Sequence, residues 1–174
     1  FDRFPTQVRE ISRQLNKKIK LVVTGADTEL DKVLINQLLE PMLHILRNAV
    51  DHGIEEPEER KKSGKSETGM IHISAYYQGS EAIIEIKDDG RGINTDKVLK
   101  KAIEKGLVSP ENQESFSRDD IFSLIFEPGF STSEELTTLS GRGVGMDVVR
   151  TAITQVQGTV SVESEQNQGS TFKI

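Results

Sequence analysis

Residues 43–53 read LHILRNAVDHG, a stretch that presents two different faces when wound as a helix. At ~100° per residue, Ile45, Leu46, Ala49 and Val50 fall on one side. His44, Arg47, Asn48, Asp51 and His52 fall on the other, within an arc of roughly 140°. The first face is ordinary core. The second carries two imidazoles, a guanidinium, an amide and a carboxylate, without the Glu/Lys ladder of a merely solvated face. Such a helix holds functional groups out toward something.

Outward from this helix, Pro41 predicts a break, with the helix starting afresh at Pro41 as its first residue. Gly53 predicts its end, as a residue suited to a left-handed cap. Upstream, Val8, Ile11 and Leu15 keep helical spacing within residues 6–16, the β-rich run IKLVVTG ends at Gly25, and a helical pattern resumes near Asp31. Downstream, EEPEERKKSGKSETG reads as a polar loop, and MIHISAYY and AIIEIKDD flank QGSE as a hairpin that DDGRG closes. Residues 95–105 and 118–126 read as helices, the second opened by a capping-box spacing from Ser117 to Asp120. After SGRGVG comes a helix expected to turn Val148, Val149, Ala152, Ile153 and Val156 inward and to end at Gly158. TVSVES and STFKI close the chain as a hairpin around EQNQG. The expected fold is α+β, a two-layer sandwich of one mixed, mostly antiparallel sheet with helices on one face.

The 174 residues fit a single domain, and 34% apolar with 29% charged residues is a globular balance. No apolar run approaches the ~20 residues needed to cross a bilayer, so neither membrane insertion nor a signal peptide is expected. The absence of cysteine excludes disulfides and thiolate metal sites and fits a reducing cytoplasm. A net charge of −6 argues against a nucleic-acid surface, which needs a basic stripe. Phe1 opens the chain without Met, and STFKI reads as a strand stopped midway, so residues 1–174 are expected to be one domain of a longer protein.

Two motifs are decoys. GKS at Gly64–Ser66 ends like a P-loop, but Glu59 stands where the first glycine belongs. GRGVGM puts Met146 where a dinucleotide fingerprint needs Gly or Ala. Other features form a set. In Asp88-Asp89-Gly90-Arg91-Gly92, the two glycines allow close approach of a flat ligand, and Asp88 can accept from an exocyclic amine such as adenine's. The plainer reading is a polar turn that closes a hairpin. Gly141-Arg142-Gly143-Val144-Gly145 leads into a helix whose free N–H groups attract phosphate, or forms a hinge or a tight helix–sheet approach. Asn48 offers a neutral hard oxygen suited to Mg²⁺, with His44 one turn earlier on the same face. His72 alternates with apolar strand residues and reads as surface or packing.

In this order, the Asn helix, DDGRG, FEPGF, GRGVG and the terminal GST resemble the N, G1, F, G2 and G3 boxes. These mark the ATP-binding fold (the Bergerat type) shared by DNA gyrase, Hsp90, MutL and the histidine kinases. LRNAVDHGIE, PGFST and SGRGVGMDVV resemble most the catalytic domain of the CheA family, the chemotaxis histidine kinases. The resemblance implies that Asn48 holds Mg²⁺ and Asp88 receives the adenine amino group of ATP, with Gly90 and Gly92 beside the base. It implies that Gly141, Gly143, Val144 and Gly145 wrap the phosphates and that residues 105–140 form a lid hinged at Phe126 and Phe130. Arg47, His52 and Lys97 become candidate phosphate neighbours. Ser170 stands where the last box has threonine, keeping the hydroxyl and losing a methyl. His44 stands where the hydrolases of this superfamily carry a water-activating glutamate, which favours transfer over hydrolysis.

The implied reaction passes the γ-phosphoryl group to a histidine on a separate phosphoacceptor domain, through positioning and charge neutralisation. Implied partners are that domain, the dimerisation and regulatory domains of the same protein and, indirectly, a response regulator, a receptor and a coupling protein. The domain alone is expected to be a monomer. Competing readings are a gyrase- or Hsp90-like ATPase, an anti-sigma-type serine kinase and a nucleotide-sensing module without transfer.

Overall fold

The computed structural model describes residues 3–130 and 145–174 of the chain. Its helices are α1 (Arg3–Gln14), α2 (Lys32–Asn48), α3 (Pro57–Lys62), α4 (Thr95–Glu104), α5 (Arg118–Ser123) and α6 (Met146–Gln155). Its strands are β1 (Ile19–Thr24), β2 (Gly69–Gln78), β3 (Glu81–Asp88), β4 (Ser161–Glu165) and β5 (Gly169–Lys173). The five strands form one sheet in the order β1-β2-β3-β5-β4. Both expected hairpins are present, β2 pairing with β3 and β4 with β5, and β5 also lies antiparallel to β3. Only β1 runs parallel to its neighbour, with Ile19 opposite Gly69 and Thr24 opposite Ser74. The sheet is therefore mixed and mostly antiparallel.

Alternation produces the two-layer section. Ile71, Ile73 and Ala75 of β2 and Ile84 and Ile86 of β3 are buried against Leu38, Met42, Ile45 and Ala49 of the long helix and Val149 and Ile153 of α6. β3 delivers Asp88 at its end, beside Ile71 of β2. That end of the sheet faces the turn that follows α2.

Several expectations need correction. Pro41 does not break the helix: α2 runs unbroken through it, with Pro41 buried inside. Leu38, Met42 and Ile45 form one continuous buried stripe across the proline, and this burial outweighs a cost of ~3 kcal/mol for an internal proline. Nor is Gly53 a left-handed cap, since it is not among the positive-φ glycines. The helix instead widens into a π turn over Ala49–Gly53, closed by the Ile54 N–H donating to the Ala49 carbonyl at 2.8 Å. The segment EEPEERKKSGKSETG, expected as loop, contains α3. Pro57 opens it, Glu58 and Glu59 fill the first turn and Arg60, Lys61 and Lys62 the last, an order that complements the helix dipole.

On α6, Val148 is 49% exposed, contrary to expectation. Met146, Val149 and Ile153 form the stripe that packs inward, and Val148 lies ~100° off it. Past α6 the left-handed residue is Gln157 at φ 62°, one before Gly158. The capping box at Ser117 is present with both of its hydrogen bonds. Of the expected lid, residues 131–140 lie outside the described residues, as do Gly141, Gly143 and Val144. In the rest of that region Ile121, Phe122, Phe126 and Phe130 are buried in the core, with Phe126 edge-on to Phe172 at 6.5 Å.

Candidate functional site

Asp88 is 3% exposed at the end of β3. Its Oδ1 accepts the Gly90 N–H at 2.9 Å, and its carboxyl also accepts the Ser170 N–H. Burial pushes the carboxyl up to about 6, against the lowering effect of these two backbone donors, with Asp89 and Glu55 adding to the rise. The site is built from three glycines as much as from the acid. A Cβ on Gly53 would lie 3.4 Å from Asp88 Oδ1, and one on Gly90 would lie 2.2 Å from the Gly53 carbonyl oxygen. On Gly169, at φ +108°, a Cβ would meet the Asp88 carbonyl oxygen at 2.0 Å. The π turn, the DDGRG turn and the β4–β5 hairpin therefore converge on one carboxylate. Gly92, at φ +71°, needs its missing side chain because a Cβ would lie 2.2 Å from the Glu165 carbonyl oxygen. Chain packing thus demands glycine at 90 and 92 before any ligand is considered.

The Ser170 hydroxyl is buried and lies 3.0 Å from the Ser164 hydroxyl. Ser164 also donates to the Gly169 carbonyl at 2.9 Å and accepts the Ile93 N–H at 2.8 Å, which pins the hairpin to the chain leaving DDGRG.

A second group of side chains lies along α2. Asn48 is half-buried, and its Nδ2 donates to Met146 Sδ at 3.1 Å, so the amide nitrogen is turned to α6 and the oxygen remains as an acceptor. His44, one turn earlier, is half-buried; burial, then the Arg47 guanidinium, holds its pKa below the usual imidazole range, with a smaller opposing effect from Asp147. Its neutral ring is a donor on one nitrogen and an acceptor on the other. Gly145 is the N-cap residue of α6, so its backbone opens that helix immediately beside Met146.

The π turn joins the two groups, since Asn48 precedes it and the Gly53 carbonyl that ends it accepts the Arg91 N–H at 2.9 Å. Lys17 caps the turn from α1's side, its Nζ donating to the Val50 and Asp51 carbonyls at 2.8 and 2.5 Å. Arg47 and His52 are exposed, His52 lying 3.7 Å from the Asp51 carboxylate. Lys97 is exposed in the first turn of α4, apart from these contacts. His72 pairs with Thr24 at 2.9 Å across β1 and β2, as a surface strand residue.

Sequence reasoning missed Gly53, Gly169 and Lys17, and it missed Glu55, Arg60 and Lys65 behind the DDGRG turn. For Gly169 a signal existed in the terminal GST; for the charged residues there was none beyond their placement in a charged run.

The model of the family described as "Histidine kinase-, DNA gyrase B-, and HSP90-like ATPase" matches residues 38–174, from within α2 to the end of β5. The chain belongs to this family. Among curated proteins it is similar to "Chemotaxis protein CheA" of Listeria innocua, 50% identical over all 174 residues, and to that of Bacillus subtilis, at 45%. "Sensor histidine kinase CheAY" of Helicobacter pylori is 47% identical over the same span. The chain covers 28%, 26% and 22% of these relatives, respectively. This likeness is to the ATP-binding domain of CheA proteins. A solved histidine kinase domain from the Erythrobacter litoralis blue-light activated histidine kinase aligns over 95% of this chain and 55% of its own, with TM-score 0.53 and 14% identity. The mycobacterial sensor histidine kinase MprB aligns over 97% and 87%, with TM-score 0.51 and 16% identity. At these identities the likeness establishes the histidine kinase-, gyrase- and HSP90-like fold alone. The family implies use of ATP, and both side-chain groups suit it. Asp88 supplies a buried acceptor, and Asn48 with His44 supplies neutral oxygen and nitrogen donors. Among the described residues no cluster of three His, Asp or Glu could hold a metal by itself, so a Mg²⁺ at Asn48 would complete its shell with phosphate and water oxygens.

Proposed function

We propose that this chain binds Mg-ATP and donates its γ-phosphoryl group to a histidine on a separate phosphoacceptor domain, as the catalytic domain of a chemotaxis histidine kinase in a two-component pathway. The observation that carries the reading is Asp88: a carboxylate held buried by two backbone N–H groups, with glycine in front of it. An acceptor-only group of this kind takes a hydrogen bond from adenine's amine and repels the oxo group of guanine. Gly90, Gly92 and Ser170 shape the base pocket. Gly145, together with Gly141, Gly143 and Val144 from outside the described residues, is the proposed set of phosphate contacts, with Arg47, His52 and Lys97 as candidate cations or donors. Asn48 would hold Mg²⁺, which neutralises charge on the phosphates when bound.

In the transfer, the acceptor imidazole's lone pair forms a P–N bond to the γ-phosphorus while the bond to the bridging oxygen breaks and ADP leaves. The covalent bond forms on the acceptor histidine, and nothing in this step requires a side chain of residues 1–174 to form one. His44, kept neutral by its burial and the Arg47 guanidinium, is the group proposed to orient atoms around the phosphates, and it lacks the anionic carboxylate that would activate water. The acceptor domain, a dimerisation element, a response regulator, a receptor and a coupling protein are the proposed partners, and the cytoplasm the proposed compartment.

Titration of Mg-ATP and Mg-GTP in a calorimeter, followed by addition of an isolated phosphoacceptor domain and radiolabelled ATP, tests this. Saturable heat for ATP, weaker binding of GTP, no steady phosphate release and acid-labile label on the acceptor are expected. Continuous phosphate release without an acceptor would indicate a hydrolase. Equal affinity for the two nucleotides would remove Asp88 from base recognition.

A further inference from the structure

Behind the DDGRG turn lies a buried ionic network. Arg60 is 1% exposed and Glu55 3%. Arg60 Nη1 donates to Glu55 Oε2 at 2.9 Å and to the Asp89 carbonyl at 3.2 Å; its Nη2 donates to Asp89 Oδ2 at 2.9 Å and its Nε to the Ser66 carbonyl at 2.6 Å. Lys65 Nζ donates to Glu55 Oε1 at 2.8 Å, to the Asp89 carbonyl at 3.0 Å and to the Gly90 carbonyl at 2.7 Å. Asp89 Oδ1 accepts the Met70 N–H at 2.8 Å. An ammonium has three protons, and these three acceptors match them. The lysine of the P-loop-like GKS thus faces the backbone of the base-recognition turn.

Two cations and two carboxylates balance in charge, yet such a set is dearer to bury than an apolar filling of similar volume. Its advantage is directional, because hydrocarbon cannot hold a backbone carbonyl. The held carbonyls belong to Asp89 and Gly90, and the Gly90 N–H is the donor that fixes Asp88 Oδ1. The clamp and the proposed base acceptor therefore share one glycine, gripped at its carbonyl from behind and spent at its N–H in front.

We propose that Lys65, backed by Glu55 and Arg60, is a positioning residue for nucleotide selection: it holds the Asp89–Gly90 turn so that Asp88 stays aimed as the acceptor for an amino-bearing purine. This rests on the reading of Asp88 as the base acceptor. Arg60 anchors the turn's carboxylate and Glu55 ties the two cations together. Lys65, on the partly exposed side, is the member whose removal leaves Glu55 and Asp89 still paired with Arg60. Its loss therefore frees the Gly90 carbonyl without dismantling the network.

Lys65→Met, compared with the unmodified chain, is titrated with metal-free ATP and GTP, and the Gly90 amide is followed by NMR without nucleotide. The expected result is a loss of about tenfold in ATP affinity, on the scale of one charge-assisted hydrogen bond, with GTP affinity little changed and the Gly90 amide shifted upfield. Equal losses for both nucleotides, or an unmoved Gly90 amide, would reduce Lys65 to a structural clamp and overturn the proposal. If Lys65→Met does not fold, Lys65→Gln decides by the same two readouts. Equal ATP and GTP binding by the unmodified chain would overturn the base reading itself, and the Gly90 shift alone would then show whether Lys65 sets the turn.

Discussion

Burial pushes Asp88 up to about 6, and the Gly90 and Ser170 N–H groups do not fully offset it. A carboxyl whose folded pKa lies above its ordinary value of 3.8 favours the fold while protonated. That contribution is fully present below about pH 3.8 and is lost as pH rises through about 6. The difference is on the order of 3 kcal/mol. Asp88→Asn cannot ionise, so its stability relative to the unmodified chain should rise by about 2–3 kcal/mol as urea unfolding is moved from about pH 4 to about pH 7.5. A stability difference independent of pH would show that ionised Asp88 is not destabilising. ATP affinity, in contrast, should weaken in the unmodified chain as pH falls through about 6, because a protonated carboxyl loses acceptor capacity, and the variant should show a shallower slope, left by the titration of the nucleotide's own terminal phosphate. At this scale the sequence is legible where chemistry is local: Asp88 follows an alternating strand and Asn48 stands on the polar arc of a helix. Arg60 and Lys65 are not, since their burial depends on carbonyls brought to them from 24 to 29 residues away.

The hairpins were readable because period-two alternation and turn residues coincide, and α2 because its apolar stripe repeats at helical spacing. The π turn had no such mark. AVDHG continues the helical pattern, so nothing local marks its wider winding, and survival of the helix through Pro41 rests on the buried stripe of Leu38, Met42 and Ile45. α3 was missed because its inward residue is Arg60, a charge, so no apolar period marks it. Lys17 supports the π turn from outside: two carbonyls of the helix's last turn, which have no following turn to pair with, accept its protons, and burial lowers its pKa. Lys17→Met should leave both carbonyls short of a partner and cost about 1–3 kcal/mol in urea unfolding, with faster amide exchange over residues 50–54. Exchange unaltered in that segment would assign the support of the turn to its neighbours on β2 and β3.

One face of the sheet is covered by helices, and the register fixes what the other presents. His72, Lys87, Thr171 and Glu163 lie side by side on it, as do Ser74, Glu85, Lys173 and Ser161. Opposite charges face each other at Glu85 and Lys173, and among the described residues the one short apolar row there is the pair Tyr76 and Ile83. The large exposed apolar residues of the described chain, Val33, Met70, Tyr77, Leu107 and Val148, are dispersed over different elements and the sheet's margins. A stable self-association surface needs a continuous patch with an apolar centre, and isolated exposed residues do not supply one. A net charge of −6 adds weak mutual repulsion between copies. Sedimentation equilibrium should therefore return the mass of one 174-residue chain, unchanged over a hundredfold range of concentration from about 1 μM. A mass rising toward two chains with concentration, and falling again with added salt, would place complementary charged rows of this sheet face in contact. A rise insensitive to salt would point to the apolar residues. In the proposed kinase, a monomeric result requires that the acceptor histidine be brought to Asp88's nucleotide by other domains, so transfer by this chain to a separate acceptor should grow linearly with acceptor concentration below saturation.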